Sequence, residues 1–166
     1  IAVPSSAAPD AASFRAALGM FATGVTIVTA RAADGSLVGL TANSFSALSL
    51  EPPLVLWSLR AASPSVAPFQ QAAGFAVNVL AQSQLALSRR FASVVPDRFA
   101  AGDWSSGLHE LPALAGCAAV FECRRVSHQE AGDHVLFIGE VLRMTEHPVA
   151  PLVFQGGHYR GLGDPL

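Results

Sequence analysis

The stretch VTIVTARAADGSLVGLTAN, residues 25–43, decides the fold class. Its first seven residues, Val25 to Arg31, carry the β-branched side chains that pack well on a pleated surface, so they read as a strand. Ala33-Asp34-Gly35-Ser36 supplies a tight reversal, and residues 37–43 resume as a second strand. This pair is the clearest hairpin in the chain. Further along, LVLWSL (54–59) and GFAVNVL (74–80) read as strands, the second apolar enough to be buried. Two long strands, about 117–129 and 134–146, are joined through Gly132-Asp133, and 151–154 reads as a last short strand.

Helical patterns are fewer. Asp10 is placed to cap a helix over 11–21, where Phe14, Leu18 and Phe21 recur at spacings of four and three, and Gly24 is the expected stop. A short helix over 64–71 and an amphipathic one over 82–92, ending in Arg89-Arg90-Phe91, complete the set. Pro52 and Pro53 read as a break ahead of 54–59. Residues 60–66 read as a turn, and 93–115 as irregular, anchored by Trp104. Residues 1–10 are expected to be a loose tail, leaving 11–166 as a single domain. Strands joined mostly by short turns predict a mainly-β fold, a β-barrel with a few helices. A doubly wound parallel sheet would need helices between most strands. No G-x-G-x-x-G follows the first strand, so any nucleotide is bound without that phosphate turn.

Composition narrows the function. Of 166 residues, 51% are apolar and 13% charged, well below the usual charged share of about 25%, which excludes a disordered chain. So much apolar material also predicts a partner subunit covering part of it. The net charge is −2 with no basic block, which excludes nucleic-acid binding through a phosphate-tracking face. All ten cations are Arg; without Lys, a Walker-type P-loop and Schiff-base chemistry are both excluded. Two Cys are too few for a disulfide scaffold and fit a reducing, cytoplasmic setting. No apolar run reaches the ~20 residues of a membrane span. The chain opens on Ile1 instead of Met, which predicts that its natural start lies further upstream.

No metal is expected. Cys117 and Cys123 lie six apart on one predicted strand, on the same face but about 20 Å apart at ~3.3 Å per residue. No H-x-x-x-H or C-x-x-C pair occurs, nor a G-x-S-x-G nucleophile elbow, and the twelve acids are scattered. Three segments stand apart. Gly39 to Ser46, at a strand end, combines small side chains with Thr41, Asn43, Ser44 and Ser46, leaving backbone groups accessible. Such an edge suits a flat heteroaromatic ring with imide-like polar atoms; alone, it reads as a polar strand end. Gly132-Asp133-His134 puts a His just after a turn that does not require one. Ser58, Arg60, Ser63 and Ser65, with Arg90 further on, form a Ser/Arg set suited to a phosphate, or simply a solvated turn.

The ordered set of stretches resembles the flavin reductase family with the FMN-binding split-barrel fold, the reductase components of two-component flavin-dependent monooxygenases. The matching pieces are Phe21 to Thr29, Gly39 to Ser46, Leu48 to Val55, Phe75 to Leu80, Arg90-Phe91-Ala92, Phe121 with Cys123, Gly132-Asp133-His134, Gly139-Glu140-Val141, and Pro151 to Phe154 with Gly157 and Tyr159. The resemblance implies a homodimer of six-stranded antiparallel split barrels of Greek-key type. It implies an NAD(P)H:flavin oxidoreductase that passes a hydride from NADH or NADPH to FMN or FAD and supplies the reduced flavin to a partner monooxygenase. By the same resemblance Thr41, Ala42, Asn43, Ser44 and Phe45 lie against the isoalloxazine. Ser58, Arg60, Ser63 and Ser65 reach the phosphate, and Arg90 and Phe91 hold the nucleotide end. Gly132, Asp133, His134 and Tyr159 meet the nicotinamide nucleotide. Many relatives have Lys just after the strand, where this chain has Arg60-Ala61-Ala62, so the phosphate grip differs and FMN-versus-FAD preference stays open. Hydride transfer between stacked rings needs proximity and no acid–base residue, which agrees with the absence of one. The alternatives are a flavin-binding split barrel without turnover and a pyridoxamine-phosphate-oxidase-like enzyme on the same architecture.

Overall fold

The computed structural model describes residues 8–166; the first seven residues of the expected tail lie outside that range. Helix α1 spans Ala11–Gly19, two residues shorter than the pattern predicts. Asp10 caps it, accepting from the Ala12 and Ser13 N–H groups at 3.1 and 3.0 Å. Gly19 takes the place of Gly24 as its end, and Gly24 instead lies in a two-residue strand, β1 (Thr23–Gly24). α1 buries none of its residues.

The hairpin of residues 25–43 forms as read. Strands β2 (Thr26–Arg31) and β3 (Leu37–Ala42) pair from Thr26↔Ala42 to Arg31↔Leu37. Gly35 turns the chain at φ 84°, a left-handed conformation that favours glycine, and Asp34 Oδ1 accepts from Ser36 N–H at 2.9 Å. A strand not read from the sequence follows, β4 (Ser46–Leu50), paired with β5 (Pro53–Arg60). Pro52 lies in the turn and Pro53 opens β5, a position where a missing N–H is tolerated, so the prolines shape the hairpin instead of breaking it. Then come α2 (Val66–Gln71), β6 (Gly74–Val79) and α3 (Leu85–Phe91), the last preceded by a 3-10 turn over 82–84. The segment read as irregular contains a short hairpin, β7 (Trp104–Ser106) with β8 (Pro112–Leu114). The long strands are β9 (Ala119–Ala131) and β10 (His134–Glu146), and β11 (Val153–Gln155) pairs with β12 (His158–Arg160).

The main sheet has seven strands, in the order β3-β2-β6-β9-β10-β5-β4, and every pairing in it is antiparallel. The six strands implied by the resemblance are thus joined by one more. The two edge strands, β3 and β4, are consecutive in the chain and separated only by residues 43–45. The sheet therefore curls back on itself: β3 approaches β5 and Ser44 reaches Ser58, with no ladder between β3 and β4. This is a barrel with an open seam.

Alternation along β2 explains both cores. Val28 and Ala30 face the barrel interior, while Val25 and Ile27 face an outer layer. Inside, Trp57 stacks on Phe137 at 4.8 Å and meets Phe69 of α2 edge-on at 4.8 Å. Gly139 is required here, because a Cβ would lie 2.5 Å from Phe75. The outer layer holds Leu80, Phe91, Leu114 and Leu152, with Trp104 packed on Phe91 and Phe99 at 5.4 and 4.9 Å. β9 begins at Ala119, so Cys117 precedes it and lies in the outer cluster, whereas Cys123 lies in the inner one. The two thiols do not share a face as the predicted strand had them. Both are buried, and burial pushes each up to about 12, far from thiolate chemistry at neutral pH.

Segment 104–114 is fastened to the barrel by buried polar side chains. Thr29 Oγ1 donates to the Pro112 carbonyl at 2.6 Å, and Asn78 Oδ1 accepts from Leu114 N–H at 2.9 Å. Asn78 Nδ2 also donates to the Ile27 carbonyl at 3.0 Å. Glu122 accepts from Leu108 N–H at 2.5 Å and from the Arg143 guanidinium at 2.5 and 2.8 Å.

Candidate active site

Part of the singled-out set meets at the seam. At the end of β3, Thr41 Oγ1 donates to the Ser88 carbonyl at 2.6 Å, and the Ala42 carbonyl accepts from Thr26 Oγ1 at 2.7 Å. Asn43 is exposed, and among the described residues its side chain has no hydrogen-bond partner. Ser44 bridges the gap to β5: its hydroxyl donates to the Ser58 carbonyl at 2.8 Å and accepts from Ser58 N–H at 2.9 Å. Ser58 lies beyond the reach of β4, so this one hydroxyl stands in for the missing strand partner. Phe45 turns inward and stacks on Phe121 at 5.6 Å.

A cleft of about 200 Å³ opens beside this edge, lined by Val25, Thr41, Ala42, Asn43, Ala92, Phe154 and Tyr159. Tyr159 is gripped three ways. Its hydroxyl lies 2.8 Å from Ser88 Oγ, the Arg89 guanidinium lies 5.8 Å from its ring centre, and Phe154 meets it edge-on at 5.3 Å. Tyr159 thus shares a cleft with Thr41, Ala42 and Asn43, whose lining does not include Gly132, Asp133 or His134. Val25, Ala92, Phe154 and Ser88 escaped the sequence reading. Ser88 left one signal, a small hydroxyl one turn before Phe91 in a helix otherwise apolar or basic.

A second group lies at the far end of β5. The register sets His134 opposite Arg60, and Ala61 N–H donates to the Asp133 carbonyl at 2.9 Å, tying the two loops together. Gly132 turns the hairpin at φ 60°. Asp133 Oδ1 lies 2.7 Å from His134 Nδ1. That bond, the imidazole's charge and the Arg60 guanidinium hold the Asp133 carboxyl below its ordinary value. An ionised carboxylate only accepts, so His134 Nδ1 carries the hydrogen of that bond and Nε2 is the ring nitrogen left without a partner among the described residues. Ser63 Oγ accepts from Ser65 N–H at 3.2 Å, and Ser63 N–H donates to the Arg60 carbonyl at 2.9 Å. Among the described residues the Arg60 side chain has no hydrogen-bond partner and is exposed.

Arg90 and Phe91 differ from the others. Arg90 Nε donates to the Arg98 carbonyl at 2.9 Å and its Nη2 to that of Asp97, so the guanidinium holds the following turn. Phe91 is 1% exposed, and its ring packs on Phe99 and Trp104. A side chain enclosed on that scale has no face left for a ligand; its place is the core. No group of three or more His, Cys, Asp or Glu side chains able to hold a metal occurs among the described residues. A larger hollow, about 410 Å³, lies at the opposite end of β2. Its cations Arg31 and Arg124 already pair with Glu110 and Glu140, so the open polar groups point to the seam instead.

The chain matches known proteins along most of its length. The family model described as the flavin reductase like domain matches residues 18–163. The chain is 45% identical over 147 residues to the FMN reductase (NADH) SmoA of Agrobacterium fabrum, covering 89% of this chain and 83% of that one. It is 42% identical to the flavin-dependent monooxygenase reductase subunit HsaB of Rhodococcus jostii, covering 92% and 78%. Other curated relatives are longer, and the chain spans about half of two of them, 48% and 46%. Among solved structures, the Streptomyces globisporus NADH:FAD oxidoreductase SgcE6, in complex with NAD and FAD fragments, superposes with a TM-score of 0.87 at 36% identity, covering 93% of each chain. Matched along nearly its whole length in sequence and in fold, the chain belongs to the flavin reductase family.

Proposed function

We propose that this chain is an NADH-dependent flavin reductase that supplies reduced flavin to a partner monooxygenase. The observation that carries the reading is the open seam: an unpaired strand edge beside a cleft walled by small residues and one clamped tyrosine. Edge strands present unpaired N–H and C=O groups. Those at residues 41–45 suit the imide-like rim of a flavin, and Ala42 and Ala92 leave its face uncovered. When bound, the flavin supplies the redox chemistry by accepting hydride from the reduced nicotinamide. Main-chain donors at the seam stabilise negative charge that develops on the ring. Arg60, with Ser63 and Ser65, is free to take a phosphate, and Ser44 keeps Ser58 in register for the same end. Asp133 orients the His134 ring through Nδ1, so Nε2 is the atom offered to the nicotinamide nucleotide. Nothing in the site abstracts a proton, and the reaction needs no such step.

Two further readings go with this one. The whole of 11–166 acts as one domain, soluble in the cytoplasm; no helix among the described residues is long and apolar enough to cross a membrane. The protein also works as a homodimer. Phe14, Leu18, Met20 and Phe21 on and after α1 are 54–79% exposed, and Leu50 at the end of edge strand β4 is 96% exposed. Apolar side chains in that number support a second copy as their cover.

Purified protein mixed with NADH and either FMN or FAD, followed at the reduced-nicotinamide absorbance band, tests the assignment. Steady NADH consumption that depends on added flavin is expected. Flavin binding with no consumption would replace it with the non-catalytic flavin-binding reading.

A further inference from the structure

Ser88 is a buried hydroxyl that the reaction does not use. It lies in α3 and is fully enclosed, 0% exposed. A serine inside a helix is weaker than alanine by propensity, and its hydroxyl ordinarily turns to solvent or to its own helix's carbonyls. This one leaves the helix and meets the Tyr159 hydroxyl at 2.8 Å. The Ser88 carbonyl is equally committed. It accepts Ala92 N–H at 3.1 Å within the helix end and Thr41 Oγ1 at 2.6 Å from outside, filling both lone pairs. One residue therefore touches both walls of the cleft. Thr41 belongs to β3, the edge of the main sheet, while Tyr159 belongs to β12 in the separate three-stranded sheet β1-β11-β12.

We propose that Ser88 is a positioning residue that fixes the width of the flavin cleft by holding Thr41 and Tyr159 to one helix. The proposal rests on reading the cleft as the flavin-binding edge. Ser88 reaches no ligand itself and acts through the tyrosine. Without its hydroxyl, the tie between α3 and Tyr159 loses its hydrogen bond, and the Arg89 contact at 5.8 Å and apolar packing constrain distance less than that bond does.

The sequence provides a direct reporter, since Tyr159 is the single tyrosine in the chain. Protein grown with 3-fluorotyrosine gives one fluorine resonance, and FMN is the probe ligand. Ser88→Ala is expected to move or broaden that resonance. It is expected to raise the FMN Kd, read by flavin fluorescence quenching, about three- to tenfold, the range for one neutral hydrogen bond, with kcat changed less than about twofold. Tyr159→Phe should weaken FMN to the same degree, and the double variant no further than either single one, because both remove one interaction. Should Ser88→Ala not fold, Tyr159→Phe alone carries the comparison, with an unchanged Kd overturning the proposal. A resonance that FMN moves but Ser88→Ala does not, or additive losses in the double variant, would overturn the positioning role while sparing the flavin site. A resonance indifferent to FMN would overturn the cleft reading itself.

Discussion

Segment 104–114 and the seam use the same kinds of side chain for opposite ends. On the first, Thr29, Asn78 and Glu122 are 0–3% exposed, and each bonds at least one backbone group of the segment, with Asn78 and Glu122 also satisfied by Ile27 and Arg143. On the second, Asn43 and Arg60 are exposed, with side chains that have no hydrogen-bond partner among the described residues. Buried polar groups must be satisfied within the molecule or they destabilise it. Exposed ones can wait in water for a ligand. The teaching is that polarity alone marks neither region; the state of its hydrogen bonds does.

If that division holds, changes in the first region move stability and leave affinity alone. The largest effect is expected from Asn78→Leu, which strips the Leu114 N–H of its acceptor and the Ile27 carbonyl of a donor. Urea unfolding should show a loss of about 2–4 kcal/mol, with the FMN Kd of the folded protein unchanged within about twofold. Next comes Glu122→Gln, at about 1.5–3 kcal/mol for hydrogen bonds to a charged group. Burial pushes this carboxyl up, but the Arg143 hydrogen bond, the Leu108 N–H and the Arg143 charge outweigh it, so it titrates below its ordinary value of 4.5. A depressed carboxylate contributes stability that is present above the unfolded value and lost as pH falls through the folded one. Unfolding titrations from pH 7 downward should therefore show part of the acid sensitivity beginning near pH 4.5 in the parent and missing from the Gln variant.

Changes at the seam should do the reverse. Arg60→Ala is expected to weaken FMN about tenfold in a fluorescence titration, equivalent to one charge-assisted phosphate contact, while the unfolding midpoint stays put. His134→Ala should have the smallest effect, a rise of about three- to fivefold in the NADH KM with kcat nearly unchanged. A large loss of kcat at saturating NADH, with KM constant, would break the division, because His134 would then act on the reaction and not on orientation.

The parts legible in the sequence are those whose signal is local. Residues 25–43 announce a hairpin by β-branching and a Gly turn, and the two long strands announce themselves by length. β4 was not legible, since SALSL has no β-branched residue and becomes a strand only because β5 offers it a partner. β7 and β8 were lost for a related reason: side chains from distant strands, not propensity, hold them in place. Within the site, Thr41 to Ser44 stood out for their small and polar character, but nothing local says that β3 is a sheet edge. The resemblance sets Phe91 at a ligand, whereas its burial depends on Phe99 and Trp104, which follow it at a distance no short motif covers. Tyr159 and His134 both read as nicotinamide contacts; that Tyr159 shares a cleft with Thr41 and that His134 stands opposite Arg60 comes from strand arrangement, which no local motif carries.

The gap between β3 and β4 also bears on how this molecule can vary. A planar guest held along an exposed backbone rim is recognised by atoms that every amino acid except proline possesses in full. Replacing Asn43, whose side chain has no partner among the described residues, leaves those atoms in place, with proline the exception to watch for, whereas Thr41, Ser44 and Phe45 hold the rim in shape through their side chains.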